Sequence, residues 1–166
     1  LAEILRDKKG LDGDSIGYGN EKALNQMLAH HAVIFKPEQL KVWVSSNPYQ
    51  LGEFTAYDLN EIFGEKETEY ESHLIDSLTI PDDFLHTEAY ENYEKYRVVD
   101  RTIDQAIENE EENFDLSQLD DYRALNPHHW VVHYKSGLLY YRAEEYEKAK
   151  SAFETALQKE ITPLTD

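Results

Sequence analysis

Two adjacent histidines, His30 and His31, open an apolar run that passes through Ser45 and Ser46 to Asn47. Histidine can hold a metal or move a proton near neutral pH, and serine can act as a nucleophile when a base is set against it. On a strand, however, neighbouring side chains point to opposite faces, so His30 and His31 cannot converge on one ion. No third ligand stands at a recognisable spacing, and His128-His129-Trp130 has the same defect at a helix start. No metal site is expected. Ser45 and Ser46 lack the glycine-flanked elbow and the ordered His and Asp of an acyl-transferring serine, so a strand-end turn accounts for them better. His31 is kept as a pocket-lining candidate.

Two other stretches invite chemistry and are better read as structure. The glycines of GDSIGYGN have no phosphate-loop lysine and no strand-to-helix setting, which leaves loop geometry. The acidic block lacks the alternating oxygen ligands of a calcium loop and reads as a solvated, self-repelling face. From Glu65 to Asp121 it holds 19 acidic and 4 basic residues.

Composition narrows the function classes. The chain has 166 residues, a formal net charge of −18 and no cysteine. A surface this negative disfavours nucleic acid and anionic lipid as partners. The missing cysteine removes disulfides, thiolate zinc sites and a cysteine nucleophile, and leaves the compartment open between cytoplasm and periplasm. No apolar run approaches a membrane span and no signal-peptide pattern opens the chain, so a soluble protein is expected. A first residue of Leu1 predicts that the sequence begins inside a longer reading frame.

These residues must be positioned by elements of two kinds. AVIF and KVWV are rich in β-branched and aromatic residues around a KPEQL turn, which predicts an antiparallel hairpin, and EFTAYDL predicts a third strand. The near-continuous apolar character of the hairpin predicts burial on both faces, more than three strands and a short helix can cover. LAEILRDKK reads as a helix ending near Gly10, and Asn20 as the cap of a short helix through Met27. From Pro81 the period becomes helical, with Leu85, Ala89, Tyr93, Tyr96, Val99, Ile103 and Ala106 forming one stripe of a helix that runs to about Glu112. LSQLDDYRAL is a shorter helix. Two more, His129 to Tyr141 and Glu144 to Lys159, meet at a tight turn. The fold class is α+β, a small antiparallel sheet followed by an all-α region. The expected domains are 1–64, a linker over 65–80, and a helical extension over 81–166.

The last helix pair, WVVHYKSGLLYYRAEEYEKAKSAFETALQKEITP, resembles one tetratricopeptide repeat over about 129–160. Gly137 and Tyr140 match on the first helix; Tyr146, Ala149, Phe153, Ala156 and Leu157 match on the second. The pattern departs at His133 and Ser136, and Pro163 comes late. One repeat cannot bury its own face, so the helices between Pro81 and Leu125 are expected to pack on it. The resemblance implies a peptide groove with Lys135 and Tyr140 as contact candidates. The plainer alternative is a helical hairpin that stabilises its neighbour or mediates a homodimer.

The segment from Ile4 to Phe63 carries a second likeness, in GNEKALNQ, AHHAVIF, VWVS and PYQLGEFTAYDL. It resembles the C-terminal end of bacterial proteins of the acyl-coenzyme A:6-aminopenicillanic acid acyltransferase family, which are N-terminal-nucleophile amidohydrolases. The resemblance implies an αββα sandwich, and cleavage or transfer of amide-linked acyl groups by a cysteine freed at a new N-terminus. Acyl-coenzyme A enters as a substrate of the parent protein; no cofactor is implied. This chain has no cysteine, so no catalytic residue is assigned within it. The upstream portion of the same protein is the expected partner, and His31 and Asn47 are the candidates for lining the cleft. The alternative from another class is a non-enzymatic interaction module built on the repeat-like helices.

Overall fold

Alternating side-chain direction sets the sheet. In the computed structural model, which describes residues 1–64, 73–110 and 114–161, strands β1 (Val33–Lys36), β2 (Lys41–Ser45) and β3 (Phe54–Asp58) pair antiparallel in the order β1-β2-β3. The turn after β1 uses Pro37 at the start of a 3-10 turn, and Leu40 closes it in the left-handed region. Register places Ile34, Trp43 and Ala56 in one row, with Ser45 opposite Phe54 in another. Helix α1 (Ala2–Leu5) supplies Ala2 and Leu5 to cover this face, together with Ala32, Ile75, Leu78 and Ile80. Trp43 donates its indole N–H to the Leu78 carbonyl at 2.8 Å, so its polar edge is satisfied in the core. Helix α2 (Leu59–Phe63) follows β3 and is capped by the Asp58 side chain.

The opposite face departs from the expected burial. Val33, Val44 and Thr55 form one row, and Phe35, Val42 and Tyr57 the next, with Leu74 bridged to Tyr57. Val33 is 57% exposed and Phe35 51% exposed, while Val42, Val44, Thr55 and Tyr57 are half-buried. Among the described residues of this unit, one side of the sheet is packed over, while the other, also apolar, keeps Val33 and Phe35 exposed. The sheet belongs to one compact unit, residues 1–7 and 24–86; the other unit comprises residues 8–23 and 87–166.

Three expected helices are shortened or replaced. α1 stops at Leu5 instead of continuing through Lys9. The Arg6 guanidinium reaches the carbonyls of Pro81 and Gly52 and stacks 4.9 Å over Phe54, and the Asp7 carbonyl accepts from the Asn25 N–H. Residues 20–27 form turns, not a helix. Ala23, Asn25 and Met27 are buried while Leu24 and Leu28 are exposed, a period of two that no helix can satisfy. Pro81 does not start the long helix: a 3-10 turn at Asp83–His86 intervenes, and Thr87 caps α3 (Glu88–Glu108) by accepting from the Tyr90 N–H. A hydroxyl cap followed by Glu88 and Glu91 in the first turn is the stronger start signal. The expected end near Glu112 lies outside the described residues.

The helical unit continues with α4 (Gln118–Leu125), α5 (Trp130–Arg142) and α6 (Tyr146–Leu157). From the predicted stripe of α3, Tyr93, Tyr96, Ile103 and Ala106 are buried and Val99 is half-buried. Stacked and edge-on rings link Tyr18, Tyr93, Tyr96 and Tyr122 in succession. α5 and α6 form a close hairpin, because a Cβ on Gly137 would sit 2.5 Å from the Phe153 ring. α3 and α4 pack on α5, as a single repeat-like hairpin requires. Among the described residues, no helix is long and apolar enough to cross a membrane.

Buried asparagines hold the irregular segment 8–23 in this unit. The Asn126 side chain accepts from the Tyr18 N–H at 3.0 Å and donates to the Tyr18 carbonyl at 2.9 Å. Asn20, fully buried, donates to the carbonyls of Ile16 and Glu160. Gly17 has φ +84, and a Cβ there would lie 2.4 Å from the His129 backbone nitrogen. Gly17→Ala should therefore cost about 2 kcal/mol or more in chemical denaturation, since strain and a backbone clash add. Gly13→Ala, at φ +85 with open space around it, should cost only about 1 kcal/mol from strain alone. Equal losses in the two variants would show that the close approach at Gly17 is not formed.

Candidate functional site

The sheet end brings His31 and Asn47 to the same edge of the strands without joining them. Ala32 donates its N–H to Ser45 Oγ at 2.7 Å, and Ser45 returns its N–H to the Ala32 carbonyl, so His31 and Asn47 lie just beyond this paired row. Both are exposed, and among the described residues neither makes a side-chain hydrogen bond. Ser45 is buried and spent on this backbone contact, while the Ser46 N–H donates to the Glu53 carbonyl. No serine here is poised by a base. His30 is likewise exposed, and among the described residues no cluster of three histidines or carboxylates could hold a metal.

A second cluster, between α3, α4 and α5 and half-buried at Asp100, Asp104 and Lys135, has the residue types of chemistry. Tyr122 donates its hydroxyl to Asp100 at 2.5 Å, and the Lys135 ammonium lies 2.8 Å from Asp100 and 2.5 Å from Asp104. Asp100 and Asp104, one turn apart, thus share one cation from the facing helix. The Tyr96 hydroxyl stands 3.3 Å from His129 Nδ1. Burial raises the Tyr122 and Tyr96 phenols far above the usual range, and the Asp100 charge adds to it. Burial also pushes the His129 imidazole down to about 4, against the pull of Asp100 and with some help from Lys135. Every member faces another member, so the cluster acts as a satisfied polar core. Lys135 is consequently unavailable as a peptide contact: its side chain is 16% exposed and held by two carboxylates.

The groove lies elsewhere, with α4 and α6 as walls and α5 as floor, and has a volume of about 660 Å³. Such a volume suits a small molecule or a short peptide stretch. Tyr140 and His133, two turns apart on α5, form its base. The Arg123 guanidinium sits 5.6 Å from the centre of the Tyr140 ring and the Lys148 ammonium 5.7 Å from it. Arg123 also pairs with Asp120, and Lys148 with Glu145 at 3.3 Å. His133 hydrogen-bonds the Pro127 carbonyl at 3.0 Å, and burial lowers its pKa. The repeat-like pattern singled out Tyr140. Arg123 and Lys148 escaped notice because their meeting over one ring depends on the packing of three helices.

Protonation of His129 should show in stability. An imidazole in the unfolded chain titrates near 6.5, while the folded one resists protonation down to about 4. Its contribution is complete above the unfolded value and is lost as pH falls through that window. The loss approaches about 3 kcal/mol at roughly 1.4 kcal/mol per unit of separation. His129→Asn should flatten the stability profile between these values, measured by denaturant titration of both proteins. Parallel profiles would show that the ring is not held neutral by burial. Comparison of the chain with protein-family models, with curated proteins and with solved structures gave no match.

Proposed function

We propose that the sheet-bearing unit contributes a layer to an enzyme that hydrolyses or transfers amide-linked acyl groups, with the nucleophile supplied by an upstream portion of the same protein. The open apolar face of the sheet supports this reading best. Its rows carry Val33, Val42, Val44, Phe35 and Tyr57 and no charged side chain, on a chain of net charge −18. Fully burying a valine or phenylalanine side chain is worth about 1.5–3 kcal/mol, so the face gains most from a second apolar layer. A sheet of a layered sandwich has that need. The resemblance of the segment from Ile4 to Phe63 to N-terminal-nucleophile acyltransferases names the class. There the freed α-amine takes the proton of its own nucleophile, the acyl group passes through a covalent intermediate, and the amine leaves with a proton. Acyl-coenzyme A would be a substrate on the donor side, and His31 and Asn47 would border the cleft at the exposed sheet end.

A second reading rests on the groove over Tyr140: the helical unit would serve as a protein-interaction module, binding a peptide or a second copy of the chain. The two readings concern different units and do not exclude each other.

The pure chain should release no acyl group from a panel of N-acyl amides, with or without acyl-coenzyme A; turnover by it would overturn the first reading. The coding region before Leu1 should contain a cysteine that follows a self-cleavage point. Val33→Lys and Phe35→Lys should each change the stability of the isolated chain by no more than about 0.5 kcal/mol, because both residues are more than half exposed. A loss above about 2 kcal/mol would mean that the chain itself packs this face.

A further inference from the structure

We propose that the free edge of β1 pairs antiparallel with the same edge of a second copy of the chain, joining two three-stranded sheets into one symmetric dimer; this is independent of both readings above. Hydrogen-bond alternation fixes what the edge offers. Ser45 donates its N–H to the Ala32 carbonyl at 2.9 Å, and bonded residues alternate along an antiparallel pair. Ile34 and Lys36 therefore turn their backbone groups to β2, while Val33 and Phe35 turn theirs away. Among the described residues no backbone group answers Val33 or Phe35 on that side. The far edge of the sheet is already taken. Phe54 exchanges bonds with Ile80 at 2.9 and 3.0 Å, and the Ala56 carbonyl accepts from the Ile75 N–H at 2.9 Å. With one sheet edge open per chain, pairing closes at a dimer and does not propagate.

The occupant follows from that geometry. Val33 and Phe35 stand on either side of Ile34, so a two-fold axis at Ile34 sets Val33 against Phe35 of the partner subunit, and the reverse. Each such pair exchanges both its N–H···O bonds. The register also places a β-branched side chain beside an aromatic one on the open face, a favourable cross-strand pair. Those two residues are 57% and 51% exposed in the single chain. Edge strands that stay single usually carry charge, proline or a bulge. Residues 32–35 carry no charge and no proline, and the Lys36 ammonium is drawn 5.4 Å over the Trp43 ring on the packed side.

Sedimentation of the full chain should show a 19.4 kDa monomer at about 1 μM and a dimer, with nothing larger, at about 200 μM, as suits a small interface. Added salt should tighten the dimer, since two chains of charge −18 repel each other. Hydrogen exchange at the Val33 and Phe35 amides should slow by about tenfold or more between those concentrations. Val33→Lys and Phe35→Glu should each weaken dimerisation by about fivefold or more. The double variant should bind about threefold more tightly than either single one, because the introduced charges face each other across the axis. Leu157→Lys, at an exposed position of α6, should change it by less than about twofold. A monomer at every concentration, assemblies larger than a dimer, or unslowed exchange at both amides would overturn the proposal. So would equal loss from Leu157→Lys, or no recovery in the double variant.

Discussion

The helical unit depends on a primary amide doing the work of a strand. Asn126 turns one amide N–H and its amide oxygen to the backbone of Tyr18, which accepts the first and donates to the second. That pairing satisfies two part-buried backbone groups on a segment with neither helix nor sheet. The consequences spread outward. Fixing Tyr18 brings its ring edge-on to Tyr93, the first contact of the ladder that runs through Tyr96 to Tyr122. It also holds Gly17 against the backbone of His129 at the head of α5. Asn25 plays a matching part in the sheet-bearing unit, donating to the carbonyls of Leu5 and Tyr49 while it accepts from the Met27 N–H. In each unit an asparagine thus answers irregular backbone that neither a helix nor a strand pairs.

The excess of acid is managed by sorting carboxylates between inside and outside. Asp100, half-buried, is spent on Lys135 and Tyr122, and Asp104, more exposed, shares the same lysine. The remaining carboxylates of α3 and α4 point outward and repel one another through water. A helix such as α3 owes little to its own surface under these conditions. It is held by the tyrosines on its inner side and by Arg142, which donates to the Ile107 carbonyl near its C-terminal end. The groove shows no such sorting: Arg123 and Lys148 lie near the Tyr140 ring, yet the Lys148 side chain is 58% exposed.

Several particulars were legible in the residue order. The strands followed from β-branched runs with a proline turn, but their near-continuous apolar character predicted burial on both faces, and the register is what sets Ile34, Trp43 and Ala56 on the packed side. α4, α5 and α6 followed from their spacing, and Gly137 opposite Phe153 followed from the small residue that close helices need. The Asn20 side chain does accept a backbone N–H two residues on, from Lys22, as a cap would, yet a turn follows instead of a helix. Propensity could not separate these outcomes, because both begin with the same local hydrogen bond. Lys135 looked like a surface contact and is half-buried against two carboxylates, since the face it takes on α5 is fixed by a helix more than thirty residues away.

The sequence by itself determined what local periodicity can carry: an α+β chain, a three-stranded antiparallel hairpin sheet, a helical hairpin of repeat-like spacing, and an acidic surface. Tertiary structure alone decided which face of the sheet is packed over, which histidines are buried, and which cations meet over Tyr140. The physical reason is range. Side-chain alternation and helical pitch act over a few residues, whereas burial and pairing depend on segments that chain order places far apart and only packing brings together.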